Sequence, residues 1–238
     1  MNIKSIIKNI IGDKNLGRID YFFKPECKNI WGGAFNGQEF RRKIFTQLCS
    51  INSFSLIVET GSFRGNTTLF MSKKDIPIKT VEYDLRVFGY VSTRFLFNSK
   101  ISTYKNDSRS FLNRVARDKN VAKANVFFYL DAHWNDDLPL AEELSIIFSH
   151  WKDWVIMIDD FRVPGTSYDY DDYGEGKALT LDYVNSALEG ESYWVYFPSV
   201  DETQETGFKR GCAVLCNSQL IADKLEQCDT LTRWSPSL

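Results

Sequence analysis

Histidine occurs only twice in the 238 residues, and no Cys/His cluster has the spacing of a zinc site. The five cysteines, Cys27, Cys49, Cys212, Cys216 and Cys228, are an odd number and include no CxxC pair. They read as small buried hydrophobes. Without a leader pattern, a reducing, cytoplasmic location is expected. No apolar run approaches the length of a membrane span. Lys/Arg-rich runs are absent and the formal net charge is −2, so nucleic acid is not expected as a partner. Three ligand-binding signatures are also missing. There is no G-x-G-x-x-G for a nicotinamide or flavin, no P-loop, and no G-x-S-x-G nucleophile elbow.

The composition present is that of an ordinary globular chain, 43% hydrophobic and 25% charged. Residues 1–50 are read as an N-terminal helical segment that packs on or caps the core, and 51–238 as the main domain. Within the first, Ile3, Ile6, Ile7, Ile10 and Ile11 share one helical face, with Lys4 and Lys8 off it. Residues 1–12 are expected to pack on the domain or on a second copy, giving a homodimer, or else to make a peripheral membrane contact. Glu39 to Leu48 reads as a further helix. The loop before it offers Trp31, Asn36 and Gln38 as pocket candidates, with core packing the expected role of Trp31.

From Leu56 onward, strand and helix patterns alternate. Strands are predicted at 56–60, 78–83, 101–104, 125–130, 154–158, 193–197 and 212–216, with helices between the first six. This predicts an α/β fold: a Rossmann-like, open, mostly parallel seven-stranded sheet with helices on both faces and an antiparallel edge hairpin. In such a sheet, ligands gather beyond the carboxyl ends of the strands.

Those ends are acidic: Glu59, then Glu82 and Asp84, Asp107, Asp131, and the pair Asp159-Asp160. Crowded carboxylates repel unless ligand or metal compensates them. The first strand runs into Glu59-Thr60-Gly61-Ser62-Phe63-Arg64-Gly65-Asn66-Thr67. Glycines allow close backbone approach, and the following helix start presents free N–H groups. Glu82, at the end of the second strand, suits the two hydroxyls of a ribose. With no phosphate cradle, a nucleoside cofactor without phosphates is expected.

Here the chain resembles the class I S-adenosylmethionine (SAM)-dependent methyltransferases, on Val58–Thr68, Val81-Glu82 and Asp107-Ser108. Leu130-Asp131-Ala132-His133-Trp134, Leu138-Pro139 and Val155 to Asp160 further resemble the divalent-metal-dependent O-methyltransferases, catechol and macrocin-type sugar enzymes among them. The resemblance covers residues 55–165. It implies Glu59, Gly61, Ser62, Gly65 and Thr67 at the methionine end of SAM, Glu82 on the ribose, and Asp107 and Ser108 on the adenine side. It further implies Asp131 at the junction of donor and acceptor, and Asp131, Asp159 and Asp160 holding Mg2+ or another divalent cation. The catechol enzymes carry a lysine base after the fourth strand, whereas Asn135 and Asp136 stand here. His133 is the nearest base, with Asp131 beside it; a structural place next to the metal is its other role. The acidic pair has its own alternative, a helix cap and a solvated loop residue.

The loop 162–176 carries Tyr168, Tyr170 and Tyr173 among acids. It is expected to overhang the acceptor and grip a sugar with ring faces and carboxylates. The expected activity is metal-assisted O-methylation of a hydroxylated small molecule or glycan. A nicotinamide-dependent oxidoreductase and a non-catalytic SAM-binding module are the competing classes.

Overall fold

The computed structural model describes residues 11–133, 137–174 and 176–235. The expectations for residues 1–10, and the positions of Trp134, Asn135, Asp136 and Glu175, lie outside the described residues. After residues 11 and 12 come helix α1 (Asp13–Phe23) and two 3-10 segments, Pro25–Gly32 and Ala34–Gly37. Helix α2 (Glu39–Ile51) leads into β1 (Leu56–Thr60), α3 (Asn66–Met71), β2 (Ile78–Glu82) and α4 (Leu85–Arg94). Then come β3 (Ile101–Lys105), α5 (Ser108–Ala116), β4 (Val126–Leu130), α6 (Leu140–His150) and β5 (Trp154–Ile158). Helix α7 (Leu181–Ala187), β6 (Trp194–Pro198), β7 (Ala213–Cys216), α8 (Gln219–Leu225) and β8 (Leu231–Arg233) complete it.

Among the described residues the sheet has eight strands, in the order β3-β2-β1-β4-β5-β7-β6-β8. The first five are parallel, while β7 runs antiparallel to both β5 and β6. The expected antiparallel pair is present, but it is not the edge. Strand β8 pairs with β6 and adds an eighth strand to the expected seven. Only three residues of β8 pair, two of them exposed, so it carries little apolar alternation.

Strands β1, β4 and β5 are buried along their whole length, which is why they read as unbroken apolar runs. Their side chains divide by period two. Val58, Phe128 and Ile156 face one core, while Ile57, Phe127 and Val155 face the other. Phe35, Ile44, Phe45 and Leu48 pack into that second core. The N-terminus of α2 is capped from across the chain. Glu205 accepts from the Phe40 and Arg41 backbone N–H groups at 2.9 and 3.1 Å, and Thr206 Oγ1 from Glu39 N–H at 2.9 Å.

The cysteines carry no disulfide; Cys49 is half-buried and the other four are buried, as expected. Among the described residues, no helix is long and apolar enough to cross a membrane.

Helix α1, which shows no clean apolar period, is held by contact between backbones. A Cβ on Gly17 would lie 1.8 Å from the Arg86 carbonyl oxygen, and one on Gly89 would lie 2.0 Å from that of Lys14. Beside this crossing, Arg86 Nε and Lys24 Nζ meet the Asp20 carboxylate at 2.6 and 2.8 Å. Gly17→Ala should therefore push α1 from α4 and lower stability by about 1–3 kcal/mol. Urea unfolding followed by circular dichroism measures this, and an unchanged midpoint would show that the crossing has room to adjust.

Candidate functional site

A cavity of 1120 Å³ opens beyond the carboxyl ends of β1 to β5. That exceeds the ~300–1000 Å³ of a typical small-molecule pocket and leaves space for two reactants. One side is built by the turn after β1. Gly61 has φ 85°, and a Cβ there would lie 2.0 Å from the Asp131 carbonyl oxygen. Only glycine lets the ends of β1 and β4 come this close. Phe63, held at φ 42°, donates its N–H to Glu82 Oε2 at 2.9 Å, and Asp84 N–H donates to Oε1 at 2.7 Å. Each Glu82 oxygen keeps acceptor capacity beyond these bonds, and the residue lines the cavity. Burial raises the Glu82 carboxyl to about 7. Asp107 and Ser108 line the same side, where Asp107 caps α5 by accepting from Ser110 N–H at 3.1 Å.

Four of the expected cofactor residues stand behind the cavity wall. Glu59 is buried and accepts from Thr68 Oγ1 at 2.6 Å. Ser62 is buried. A Cβ on Gly65 would strike the Phe95 ring at 2.6 Å. Thr67 Oγ1 accepts from Phe35 N–H at 3.1 Å. These residues shape the turn and tie the N-terminal segment to it, but they do not line the cavity. Conversely Trp31, expected in the core, is 42% exposed. It lines the cavity and stacks on Phe63 with ring centroids 4.7 Å apart and planes 10° from parallel. Asn36 lines the cavity as expected. Gln38 does not; it clamps the backbone of Arg210, donating to its carbonyl at 2.8 Å and accepting from its N–H at 3.0 Å.

The other side of the cavity is acidic. Ligand atoms of Asp131, His133 and Asp160 lie within 4.8 Å of one another, close enough to share a cation. His133 Nε2 lies 3.8 Å from Asp131, 3.6 Å from Asp160 and 3.5 Å from Asp171. It is buried without a hydrogen-bond partner. Asp159, the third expected ligand, is turned away. Its carboxylate is paired with the buried guanidinium of Arg41 and accepts from the Tyr129 hydroxyl. His133 takes its place in the group. Asp160 enters the cavity through a left-handed backbone, φ 51°, and receives Arg210 Nε at 2.8 Å. Arg210 also binds Asp169 at 2.9 Å and Asp171. No sequence pattern marked Arg210, which lies in an irregular stretch far from the acids it serves.

The charges perturb one another strongly. Burial pushes the Asp131 carboxyl well above the usual carboxylate range. Burial would also raise Asp160, but the adjacent His133 imidazole and the Arg210 guanidinium outweigh it and hold that carboxyl at about 2. Burial lowers the His133 imidazole, and the carboxylates of Asp160, Asp131 and Asp171 more than reverse this.

Loop 162–176 delivers one residue of those described to the cavity, Asp171. Its tyrosines do not grip an acceptor there. Tyr168 is buried in the core with its hydroxyl donating to the Asp201 carbonyl at 3.2 Å. The Tyr173 hydroxyl donates to Asp171, and Tyr170 lies beside Arg162.

The buried Glu59 gives a test of this wall. Burial raises its carboxyl from the ordinary 4.5 to about 7. A carboxyl that holds its proton more tightly in the native chain favours folding at low pH, and that contribution is lost as pH rises from 4.5 through about 7. The loss amounts to about 3 kcal/mol. Glu59→Gln should therefore gain stability relative to the parent across that window, as read by urea unfolding at pH 4.5 and 7.5. A pH-independent difference would mean Glu59 stays ionised when buried.

No family model matches the sequence, and no curated protein matches it. Solved structures do match the fold. The O-methyltransferase TomG from Streptomyces achromogenes, solved with SAM, aligns with TM-score 0.57 and 15% identity over 75% of this chain and 79% of its own. An O-methyltransferase from Bacillus cereus, solved with S-adenosylhomocysteine (SAH), aligns with TM-score 0.60 and 13% identity over 90% of this chain and 96% of its own. A spermidine synthase from Thermotoga maritima aligns with TM-score 0.52 and 11% identity over 79% and 63%. The chain therefore has the Rossmann-like fold found in SAM-dependent O-methyltransferases, a fold that a spermidine synthase also shares.

Proposed function

We propose that the protein is a SAM-dependent O-methyltransferase whose acceptor is a hydroxylated small molecule or glycan and whose reaction is assisted by a divalent cation. The observation that carries this reading is one cavity with two unlike halves. Glu82 stands beside the Gly61 turn on one side, and Asp131, His133 and Asp160 converge on the other. A ribose diol on Glu82 would use its remaining acceptor capacity. The turn after β1 lets the methionine portion lie against backbone, and Asp107 and Ser108 border the adenine. The nicotinamide alternative has no glycine fingerprint to hold a pyrophosphate.

The donor set fits a divalent cation. Three carboxyl groups, Asp131, Asp160 and Asp171, surround a buried imidazole nitrogen without a hydrogen-bond partner, and one guanidinium pairs with two of them. Asp131, His133 and Asp160 would hold the ion, which when bound lowers the pKa of an acceptor hydroxyl. One imidazole and two carboxylates suit manganese, cobalt or zinc at least as well as magnesium. Arg210 fixes Asp160 and Asp171, so their oxygens need no reorganisation when the acceptor arrives. Methyl transfer forms a bond from the acceptor oxygen to the methyl carbon and breaks the carbon–sulfur bond, leaving SAH. Asp131 and His133 border the place where the hydroxyl proton departs.

Calorimetry with SAH tests the donor half. Wild type should bind, and Glu82→Ala should weaken binding by about 10- to 100-fold, the loss of a charge-assisted pair of hydrogen bonds. A wild type that does not bind SAH sinks the reading. A manganese titration followed by electron paramagnetic resonance tests the other half. One site is expected, lost in Asp131→Asn and Asp160→Asn. Without a saturable site, metal leaves the account and His133 remains as the base.

A further inference from the structure

We propose that the outward face of α1 docks on an anionic lipid bilayer. Ile19, Phe22 and Phe23 enter the headgroup layer, and the cations beside them meet the lipid phosphates and carboxylates. No residue of the methyl-transfer site takes part, so the docking face and that site stand or fall separately.

The first observation is that α1 is turned inside out. A helix on a protein surface buries its apolar stripe and leaves its polar face in water. In α1 the buried residues are Gly17 and Asp20. Gly17 is pressed on the backbone of α4, and Asp20 is paired with Arg86. Ile19, Phe22 and Phe23, spaced one helical turn apart, are 41%, 68% and 78% exposed. At 3.6 residues per turn they fill an arc of about 100° centred opposite Gly17. A contiguous apolar stripe kept in water marks a contact surface.

The second observation is charge. Lys14, Arg18, Lys24 and Lys28 are all exposed. Of the three acids in residues 13–28, Asp20 is buried between Arg86 and Lys24, Asp13 is half-buried, and Glu26 is exposed. Lys14 Nζ and Lys28 Nζ stand over the Phe88 and Tyr21 rings at 5.3 and 5.1 Å. Their stems lie along the protein while the charge stays at the surface. This basic face belongs to a chain with a formal net charge of −2. An anionic surface repels such a molecule as a whole and meets it where its cations gather.

Together these observations favour a bilayer over a second copy of the chain. A two-fold contact sets the same patch against itself, so exposed cations would face exposed cations. Three side chains also supply less than roughly 500 Å² of apolar area, short of the ~800 Å² a stable dimer takes from each partner. A bilayer needs neither symmetry nor a large area, because inserted apolar side chains and nearby cations both add to binding. The docking end of α1 also adjoins the cavity: Asp20 holds Arg86, whose neighbours Asp84 and Val87 line it.

The test sediments the full chain with vesicles of phosphatidylcholine alone and of phosphatidylcholine with phosphatidylserine at about three to one. Wild type should bind the mixed vesicles at least about 10-fold tighter than the neutral ones, and about 0.5 M NaCl should remove most of that preference. Changing Phe22→Ser and Phe23→Ser together should weaken binding to the mixed vesicles by about 10-fold or more, and Arg18→Glu by about 3-fold or more. Leu220→Ser, at a residue 68% exposed on α8, should leave binding unchanged. Urea midpoints show whether each variant is folded. Arg18 donates to Asn15 within the helix at 3.2 Å, so Arg18→Glu keeps the test decisive if the phenylalanine variant is unstable. Equal binding to the two kinds of vesicle, or binding that survives in both α1 variants, would overturn the inference. So would light scattering that finds a dimer in wild type and a monomer in the phenylalanine variant, which would give this face to a second copy.

Discussion

The buried pair between Arg41 and Asp159 decides how the end of β5 is used. Two acids follow that strand, and each could point either way. Arg41 is almost fully buried on α2, donates to the Gly211 carbonyl at 2.9 Å and forms an ion pair with Asp159. A guanidinium in the interior has to be matched by a carboxylate and by further acceptors, since removing one partner leaves an uncompensated buried charge. Asp159 is therefore committed to the interior. The chain then reverses through the left-handed backbone of Asp160, which sends the second carboxylate into the cavity. The structural acid and the acid available to a ligand are adjacent in sequence and opposite in role.

The same network joins the segment before β1 to the site. Helix α2 supplies Arg41 and is capped by Glu205 and Thr206, and Gln38 holds the backbone of Arg210. The stretch from residue 205 to 211 thus fixes the N-terminal segment with its backbone, one capping carboxylate and one capping hydroxyl, and fixes the acidic cluster with one side chain. Moving α2 would shift Arg41, Arg210 and, through them, both acids of the β5 end. Strained backbone gathers here as well. Trp31, Asn36, Phe63 and Asp160 all have positive φ and all line the cavity. Such conformations persist only where surrounding contacts over-determine them.

What could be read from the sequence follows the range of the interactions involved. Strands β1, β4 and β5 were legible because burial on both faces leaves an apolar run, and the acids at their ends because strand ends are local. Gly61 was legible because a strand followed by glycine and a helix start is a local pattern. Helix α1 was not, because two glycines and an Asp20–Arg86 pair hold it instead of an apolar stripe. The choice between Asp159 and Asp160 depends on a guanidinium more than a hundred positions upstream. The role of Arg210 depends on acids in the loop after β5, tens of positions upstream. No spacing within either segment encodes those meetings. Tyr168 failed for the opposite reason: a polar loop suggested an exposed ring, but one face of that loop packs into the core.

These long-range pairings also separate the Glu82 side of the cavity from the His133 side in physical character. Around Glu82 the polar groups are matched locally, by backbone N–H groups of the turns that carry the carboxylate. Such a site is rigid and can hold one defined ligand shape. Around His133 the matching is by charge, among carboxylates from β4, β5 and the loop after β5, with one arginine shared between three of them. Charge matching is less directional than hydrogen bonding to backbone, so this side discriminates first by the sign of the ligand's charge and only then by its shape.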